Sequence, residues 1–293
     1  MQIKSLAQKI KQGLIRHNIT ATPDLEASLL LMHVLNIKDR ERLFMLYEDE
    51  VDQEQIMACE ALLKRRIERE PMAYILGSKE FWDYEFIVTP DVLIPRPETE
   101  LIIETVKKCF TKPNEQLNIL DLGTGTGCMP ITLLKVYPNA KATGVDISDR
   151  ALKIAQANAD KLEVSGRIQF TKSNWFENIG QEKFDIITSN PPYISKEEWL
   201  SLEQGVKDYE PKVALTDDAN GFACYEAILE KLPEYLKTDG KAFFEIGYNQ
   251  LDTLSKLISN QGFNIDQMAL DLTQIPRVVC ASLTVGIDKA NLQ

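Results

Sequence analysis

The chain has 293 residues, of which 44% are hydrophobic and 26% charged. This is ordinary globular composition with enough length for two domains, and it excludes a disordered, collagen-like or coiled-coil protein. The formal net charge is −11, and neither half of the chain is basic. Because proteins that bind nucleic acid mainly through its phosphates need clustered lysine and arginine, the charge argues against nucleic acid as a direct partner.

The cysteines and histidines limit which disulfides, metal sites and catalytic bases the sequence can form. Five cysteines without a C-x-x-C spacing predict neither a disulfide framework nor a zinc ribbon. The two histidines, His17 and His33, both fall in the N-terminal helical stretch, which argues against a histidine base or a multi-histidine metal site. Lysine and glutamine interrupt the apolar residues at the N-terminus, unlike a signal peptide or a membrane span. We therefore expect a cytoplasmic protein with no metal centre and no membrane segment.

The first part of the chain is predicted to be a small all-helical domain over 1–78, because its apolar residues recur at helical spacing. Helix starts are indicated at Thr22, which precedes a proline, and at Asp52, which opens a capping box. Pro71 is expected to stop the last helix. The densest basic cluster, at 64–69, is interpreted as a solvated helix face, with a contact surface as the alternative.

A change in residue types and in their pattern separates this domain from the rest of the chain. Aromatic and β-branched residues over 81–94 predict a hairpin, and prolines follow it, so the linker is placed at 79–97. From 98 to 293, strands and helices alternate, which predicts an α/β domain: a Rossmann-like, mostly parallel sheet with helices on both faces. The predicted strands are 118–122, 142–147, 168–171, 184–189, 241–246 and 278–285, and the predicted helices begin after 127, at 149 and at 223.

Three glycines stand on alternate positions, at Gly123, Gly125 and Gly127, where an apolar strand passes into a helix. Glycine lets the backbone turn tightly and approach a ligand closely. Asp146 ends the next predicted strand, where a carboxylate can accept hydrogen bonds from both hydroxyls of a ribose. The glycines and this acid together predict a cofactor that contains a nucleoside.

The spacing of the glycines bears on which cofactor is bound. The dinucleotide fingerprint G-x-G-x-x-G requires a small residue where Cys128 stands, so a nicotinamide enzyme is the weaker alternative. The observed G-x-G-x-G form looks like the first motif of S-adenosylmethionine-dependent methyltransferases. Trp175 follows the third predicted strand of the domain, where an indole could stack on adenine.

The tetrapeptide Asn190-Pro191-Pro192-Tyr193 directly follows the strand predicted at 184–189. Two prolines stiffen the turn, which presents the Asn190 side chain and a backbone carbonyl as two acceptors for a planar NH2 group. Such a nitrogen is a poor nucleophile, and holding both its hydrogens would aim its lone pair at a methyl donor. Tyr193 could stack on the substrate plane. The tetrapeptide resembles the signature of amino-group methyltransferases, whose acceptors are exocyclic nucleobase amines or glutamine amides.

Seven stretches of the sequence together carry a closer resemblance to a known family. They are P-M-A-Y-I-L-G at 71–77, E-F-W at 80–82, L-I-P-R-P-E-T-E at 93–100, the glycine loop at 121–127, N-P-P-Y at 190–193, E-I-G-Y-N-Q at 245–250 and D-L-T-Q-I-P-R at 271–277. In them the chain resembles the release factor glutamine methyltransferase family over nearly its whole length. The resemblance implies a helical N-terminal domain, a hairpin and a class I methyltransferase domain. It also implies methylation, by S-adenosylmethionine, of the glutamine amide in the Gly-Gly-Gln motif of peptide chain release factors.

The resemblance assigns roles to residues of this chain. The cofactor would lie against Gly123, Thr124, Gly125, Thr126, Gly127, Asp146, Trp175 and Asn190, and the catalytic and substrate-binding residues would be Asn190, Pro191, Pro192 and Tyr193. Asn174 stands where the family often has aspartate, which weakens the assignment of a contact to adenine. Arg96 and Glu98 are interpreted as tying the linker to the sheet and stay outside the site.

An adenine-N6 methyltransferase acting on DNA or RNA is the main alternative, since it would share the tetrapeptide. Such an enzyme should have a basic surface and a means of flipping a base, whereas this chain is acidic. A binding protein that reuses the cofactor fold is the non-enzymatic alternative, and the intact motifs argue against it. We expect a monomer whose protein partner is a class 1 release factor, with S-adenosylhomocysteine as the second product.

Overall fold

The computed structural model describes residues 1–284, which form two compact units. The first unit comprises residues 1–78 and 203–209, and the second holds the other described residues from 79 onward. The predicted domain 98–293 and the predicted strand 278–285 both extend past residue 284, so their last positions lie outside the described residues.

The first unit is built from helices. They are α1 (Ile3–Arg16), α2 (Pro23–Leu35), α3 (Arg40–Met45), α4 (Gln53–Ile67) and α5 (Met72–Leu76), together with α10 (Gln204–Tyr209) from later in the chain. Helix α1 packs against α2 and α4. Its buried residues follow the spacing of one helical face, as the sequence predicts; they are Ile3, Leu6, Ile10 and Leu14.

The two predicted helix starts have different outcomes. The capping box is confirmed, because the Gln55 N–H donates to Asp52 Oδ1 at 2.8 Å and the Asp52 N–H donates to Gln55 Oε1 at 3.0 Å. Pro23 is the first residue of α2, as predicted, but the Thr22 hydroxyl makes no capping hydrogen bond. That hydroxyl lies 3.3 Å from the hydroxyl of Thr20 instead.

The end of α4 also differs from the prediction, since the helix stops before Pro71, which precedes α5. Two arginines of the basic cluster are neutralised within the unit. Arg65 donates to Glu70 at 2.8 and 2.6 Å, and Arg66 donates to Glu26 at 2.8 and 3.1 Å. Pairing of this kind favours a structural helix face over a contact surface.

A hairpin and a seven-stranded sheet follow. The hairpin, β1 (Ser78–Phe81) and β2 (Tyr84–Ile87), lies earlier than the predicted range, because the chain turns at Trp82 with φ +58°. The sheet strands are β3 (Asn118–Leu122), β4 (Lys141–Asp146), β5 (Ile168–Lys172), β6 (Phe184–Ser189), β7 (Leu236–Glu245), β8 (Phe263–Leu270) and β9 (Pro276–Leu283). Their order is β5-β4-β3-β6-β7-β9-β8, with β3 to β7 parallel and β9 antiparallel to both neighbours. The predicted α/β class with a mostly parallel sheet is confirmed.

Helices cover both faces of this sheet, as predicted. They are α6 (Glu100–Cys109), α7 (Cys128–Val136), α8 (Asp149–Lys161), α9 (Lys196–Leu200), α11 (Ala223–Tyr235) and α12 (Leu251–Asn260), with 3-10 turns at Pro97–Thr99, Ser165–Arg167 and Lys212–Ala214. Successive residues of the central strands enter two separate cores, as alternation in a strand requires. The pairs are Ile119 with Leu120, Ile186 with Ile187, and Phe243 with Phe244.

The parallel strands bring their carboxyl ends to one edge of the sheet. The last residues there are Leu122, Asp146, Lys172, Ser189 and Glu245. Open α/β sheets bind ligands outside this edge, so the loops that follow these residues are the place for a site. Within residues 1–284, every helix is too short or too polar to cross a membrane.

Candidate active site

The glycine loop connects β3 to α7 at the carboxyl edge of the sheet. Gly123, Gly125 and Gly127 have φ values of +74°, +53° and +78°, which strain any residue with a Cβ. At Gly127 a Cβ would also lie 2.9 Å from Ile131 Cδ1 and 3.2 Å from Ala155 Cβ. At Gly125 it would meet nothing within 4 Å. The loop is therefore tightly packed at its helical end and open at its centre.

Backbone and side-chain hydrogen bonds hold this loop in place. The N–H groups of Gly123 and Thr124 donate to the Val145 carbonyl of β4 at 2.9 and 2.8 Å. The buried Asn158 donates through Nδ2 to the Thr126 carbonyl at 2.9 Å. The side chains of Thr124 and Thr126 are themselves buried. These threonines shape the loop and do not expose a surface to a ligand.

Asp146 ends β4 beside the loop. Its Oδ2 accepts the Gly125 N–H and its Oδ1 accepts the Ser148 N–H, both at 2.9 Å. Burial raises the pKa of this carboxyl, and the backbone hydrogen bonds oppose the rise. Each carboxylate oxygen keeps a second acceptor position. The carboxylate is thus held in a fixed orientation and can still accept from a ligand hydroxyl.

A cavity of about 570 Å³ opens between these loops. Its volume lies within the usual range of about 300–1,000 Å³ for small-molecule sites. Six of the predicted site residues line it: Gly123, Gly125, Asp146, Trp175, Asn190 and Pro192. The other five, Thr124, Thr126, Gly127, Pro191 and Tyr193, are not in its wall. The wall also contains residues that the sequence did not single out, at 91–93 and within 211–218.

Trp175 lies beside the glycine loop. A Cβ on Gly123 would be 3.6 Å from Trp175 Cζ3, an ordinary van der Waals distance, so the indole lies directly beside the loop. The neighbouring Asn174 also lines the cavity and donates through Nδ2 to Glu177 Oε1 at 2.8 Å. This hydrogen bond orients the amide and leaves Asn174 Oδ1 as an acceptor.

Asn190 follows β6 and lines the cavity, while its Nδ2 donates to Thr99 Oγ1 at 3.2 Å. Tyr193, whose ring we expect to stack on a substrate, is held through two polar contacts. Its hydroxyl donates to Glu245 Oε1 at 3.2 Å, and its carbonyl accepts from Gln250 Nε2 at 2.9 Å. The tetrapeptide is therefore anchored at both ends of the turn.

Glu245 is a buried carboxyl behind this turn, 2% exposed at the end of β7. Besides the Tyr193 hydroxyl it accepts the Thr99 hydroxyl, on Oε2 at 2.5 Å. Burial raises its pKa to about 7, and the two hydroxyl hydrogen bonds oppose the rise. Sequence reasoning did not place Thr99 or Glu245 in the site. The sequence feature that could have pointed to them is their position inside two of the stretches that carry the family resemblance.

Asp121 is a second buried carboxyl, in β3 below the glycine loop. The Thr188 hydroxyl donates to its Oδ1 at 2.6 Å. Its Oδ2 has no hydrogen-bond partner in the part of the chain that the structure describes. Burial raises the pKa of Asp121 to about 6. The Thr124 hydroxyl lowers this pKa, and Asp121 itself is not in the wall of the cavity.

Arg96 forms an ion pair that supports the cavity wall. Its Nη2 lies 2.5 Å from Glu210 Oε1, and the Glu210 side chain is only 1% exposed. Glu210 Oε2 accepts the Ile94 N–H at 3.1 Å. Arg96 thus ties the linker to the segment that precedes the cavity-lining loop at 211–218, and not to the sheet as the sequence suggested.

The fold and the site define a class I methyltransferase. A model of the Methyltransferase small domain matches residues 97–205, and a model of the PrmC N-terminal domain matches residues 6–77. Among solved structures, a methyltransferase from Pyrococcus furiosus shares the fold, with a TM-score of 0.51 and 17% identity over 67% of this chain and 87% of that chain.

Curated relatives identify the family. The release factor glutamine methyltransferase of Geobacter sulfurreducens is 37% identical over 87% of this chain and 88% of its own length. A bifunctional methyltransferase of Rickettsia bellii is 41% identical over 92% of this chain, but over 53% of its own length. The chain belongs to the release factor glutamine methyltransferase family, and it spans about half the length of such bifunctional relatives.

Proposed function

We propose that the protein transfers a methyl group from S-adenosylmethionine to the side-chain amide nitrogen of the glutamine in the Gly-Gly-Gln motif of peptide chain release factors. One observation carries the proposal: the glycine loop, Asp146 and Asn190 meet at one cavity. A nucleoside-binding acid and an acceptor for an NH2 group thereby face the same space. Family membership supports glutamine over a nucleobase as the acceptor.

The residues present suit this cofactor. Gly125 is open toward the cavity, and Asp146 keeps acceptor capacity on both oxygens for the two ribose hydroxyls. Trp175 offers an aromatic surface in the same cavity wall as Gly123. When bound, S-adenosylmethionine supplies a methyl group on a sulfonium sulfur, which a nitrogen lone pair can attack. Thr124, Thr126 and Gly127 would contribute by shaping the loop.

The tetrapeptide would bind the acceptor amide. Asn190 Oδ1 and a neighbouring backbone carbonyl accept the two amide hydrogens, which withdraws the nitrogen lone pair from conjugation and aims it across the cavity. Pro191 and Pro192 keep the two acceptors at a constant separation because each proline fixes φ. Alignment of this kind can contribute about 7–11 kcal/mol to catalysis. The amide proton becomes acidic only once the new N–C bond forms, so no strong base is needed.

The helical part of the chain would serve recognition. We assign release factor binding to 1–78, the connection to 79–97 and methyl transfer to the region from 98 onward. The match of 6–77 to a domain model of its own supports a separate role for that part. This division predicts that substitutions on the exposed helix surface raise KM for the release factor without changing cofactor affinity.

Methyl-labelled S-adenosylmethionine tests the acceptor. The protein is incubated with a release factor and, separately, with duplex DNA, and the label is located by mass spectrometry. We expect label on the Gly-Gly-Gln glutamine and none on DNA. Label on adenine with an unmodified release factor would replace this proposal by the nucleobase alternative.

A variant tests the acceptor contact. Asn190→Ala should lower kcat by roughly 100-fold or more, as removal of one preorganised hydrogen-bonding group from an active site does, while S-adenosylhomocysteine still binds. Asn139→Ala, at an exposed position, is the matched control and should keep full turnover. Full activity in Asn190→Ala would contradict the geometry.

A further inference from the structure

We propose that Glu245 is a positioning residue for methyl transfer, because through Thr99 it determines which end of the Asn190 side-chain amide faces the acceptor. The inference rests on the proposed function. A series of hydrogen-bonded side chains, Glu245–Thr99–Asn190, runs from the buried end of β7 to the cavity wall. Of these three residues, Asn190 is the one that would contact the acceptor.

The directions of the hydrogen bonds carry the argument. An ionised carboxylate can only accept, so both hydroxyls beside Glu245 must donate to it. Thr99 has a single hydroxyl hydrogen, and it is used at 2.5 Å on Glu245 Oε2. Thr99 Oγ1 can therefore only accept from its other neighbour, Asn190, which lies at 3.2 Å through Nδ2. With Nδ2 held by Thr99, the Asn190 oxygen is the end presented to the acceptor.

The opposite direction of the hydrogen bond between Thr99 and Asn190 would disable the site. If Thr99 were free to donate, it could bind Asn190 Oδ1, and the amide would turn to present Nδ2 to the cavity. An NH2 group of Asn190 would then face the NH2 group of the acceptor glutamine, and neither could accept. Protonation of Glu245 has this effect, since its new O–H can donate to the Thr99 oxygen and release the Thr99 hydrogen.

The surroundings of Glu245 place this change near neutral pH. Burial, together with the charge of Glu98 and against that of Arg277, raises its pKa to about 7. The Thr99 and Tyr193 hydroxyls donate to the carboxylate and also oppose the rise. Two more titratable groups face it, the hydroxyl of Tyr225, which is bonded to the Glu245 carbonyl at 2.7 Å, and the buried thiol of Cys128. Burial raises the pKa of both, so they stay neutral around pH 7 and do not titrate with Glu245.

The kinetics of matched variants test the role of the Glu245–Thr99–Asn190 series. In the wild type, kcat should fall as pH drops through about 7. Glu245→Gln should lower kcat at pH 8 by about 10-fold or more and remove this acid limb, because an amide can donate to Thr99 at every pH. Thr99→Val should lose a similar factor, Thr99→Ser should restore most of it, and KM for S-adenosylmethionine should stay within about twofold in all three. The exposed Glu230→Gln is the control and should match the wild type.

Nuclear magnetic resonance gives a readout that does not depend on the acceptor. With 15N-asparagine labelling and Asn190→Ala for assignment, the Asn190 side-chain resonances should titrate with a midpoint near 7 and stay constant in Glu245→Gln. An acid limb that persists in Glu245→Gln, or Asn190 resonances insensitive to Glu245, would overturn the inference. If the wild type labels no release factor glutamine, the proposed function fails instead, and the resonance titration still decides the role of Glu245.

Discussion

The Asn158 side chain joins the hairpin to the glycine loop. Its Nδ2 donates both to the Thr126 carbonyl at 2.9 Å and to the Ile87 carbonyl at 3.0 Å, while its Oδ1 accepts the Ile87 N–H at 2.7 Å. All the hydrogens of the amide are used, and the residue is fully buried. A residue of α8 thus holds the loop that precedes α7 in register with strand β2.

Asn158→Ala should therefore destabilise the protein strongly. Three backbone groups lose their partner in a buried place, and each unsatisfied group costs about 1–3 kcal/mol, so a loss of roughly 3 kcal/mol is expected after partial relaxation. Urea unfolding measures it. Asn139→Ala removes a hydrogen bond to the Asn114 carbonyl at an exposed position and should cost less than about 0.5 kcal/mol. Equal losses in the two variants would show that Asn158 is not an anchor.

Gly127→Ala should be costly for two reasons. The left-handed backbone disfavours alanine by about 1–2 kcal/mol, and the new Cβ would collide with Ile131 and Ala155. We expect a loss of about 2 kcal/mol or more in unfolding free energy, with weaker cofactor binding. Gly180→Ala, where a Cβ would meet nothing within 4 Å, should stay near the wild type. A tolerated Gly127→Ala would mean that the loop can rearrange.

Asp146→Ala should chiefly weaken cofactor binding. The variant loses an acceptor for the ribose hydroxyls and the anchor of the Gly125 N–H, and charged hydrogen bonds contribute about 1.5–3 kcal/mol. Titration calorimetry with S-adenosylhomocysteine should give a Kd about 10-fold to 100-fold higher. Asp149→Ala removes an exposed ion pair with Lys172 and should leave Kd unchanged. An unaltered Kd in Asp146→Ala would refute the ribose assignment.

Arg96→Ala should destabilise the protein by about 3 kcal/mol, because it leaves the buried Glu210 carboxylate without its charged partner. The comparison is Arg150→Ala. Arg150 pairs with Asp91 at 3.2 Å but its side chain is 78% exposed, and such surface pairs contribute about 0–1 kcal/mol. Urea unfolding of both variants measures the difference. Comparable effects would mean that water reaches Glu210 in solution.

Asp121→Asn should change how stability depends on pH. Burial raises the pKa of Asp121 from 3.8 to about 6, so between these values the folded protein holds a proton that the unfolded chain has released. The contribution of Asp121 to the unfolding free energy therefore falls as pH rises from about 4 to 6. Asp121→Asn should fall less over this window in urea unfolding, whereas the exposed Asp239→Asn should parallel the wild type. Identical slopes in all three would exclude Asp121 as the titrating group.

Much of the site was predictable because its parts are local. A glycine spacing, an acid at a strand end and a doubled proline each act on a few neighbouring bonds, so Gly125, Asp146 and Asn190 could be recognised without knowing the fold. Runs of apolar residues likewise indicated the parallel strands, because a strand that is buried on both faces is apolar along its whole length. Strand β8, at the edge of the sheet, was not predicted because polar residues such as Asn264 and Asp266 interrupt its apolar residues. Helices α6 and α12 were also not predicted.

The contacts that orient these parts depend on distant residues. Thr99 meets Glu245 across 146 positions, and Arg96 meets Glu210 across 114. The sequence by itself determined the α/β class, the glycine loop and the proline-stiffened turn at 190–193, since backbone preference acts there within one segment. Only the tertiary structure decided which carboxylates are buried and which hydroxyls reach them. Strand order brings those groups together, and in a dry interior the direction of each hydrogen bond depends on the next.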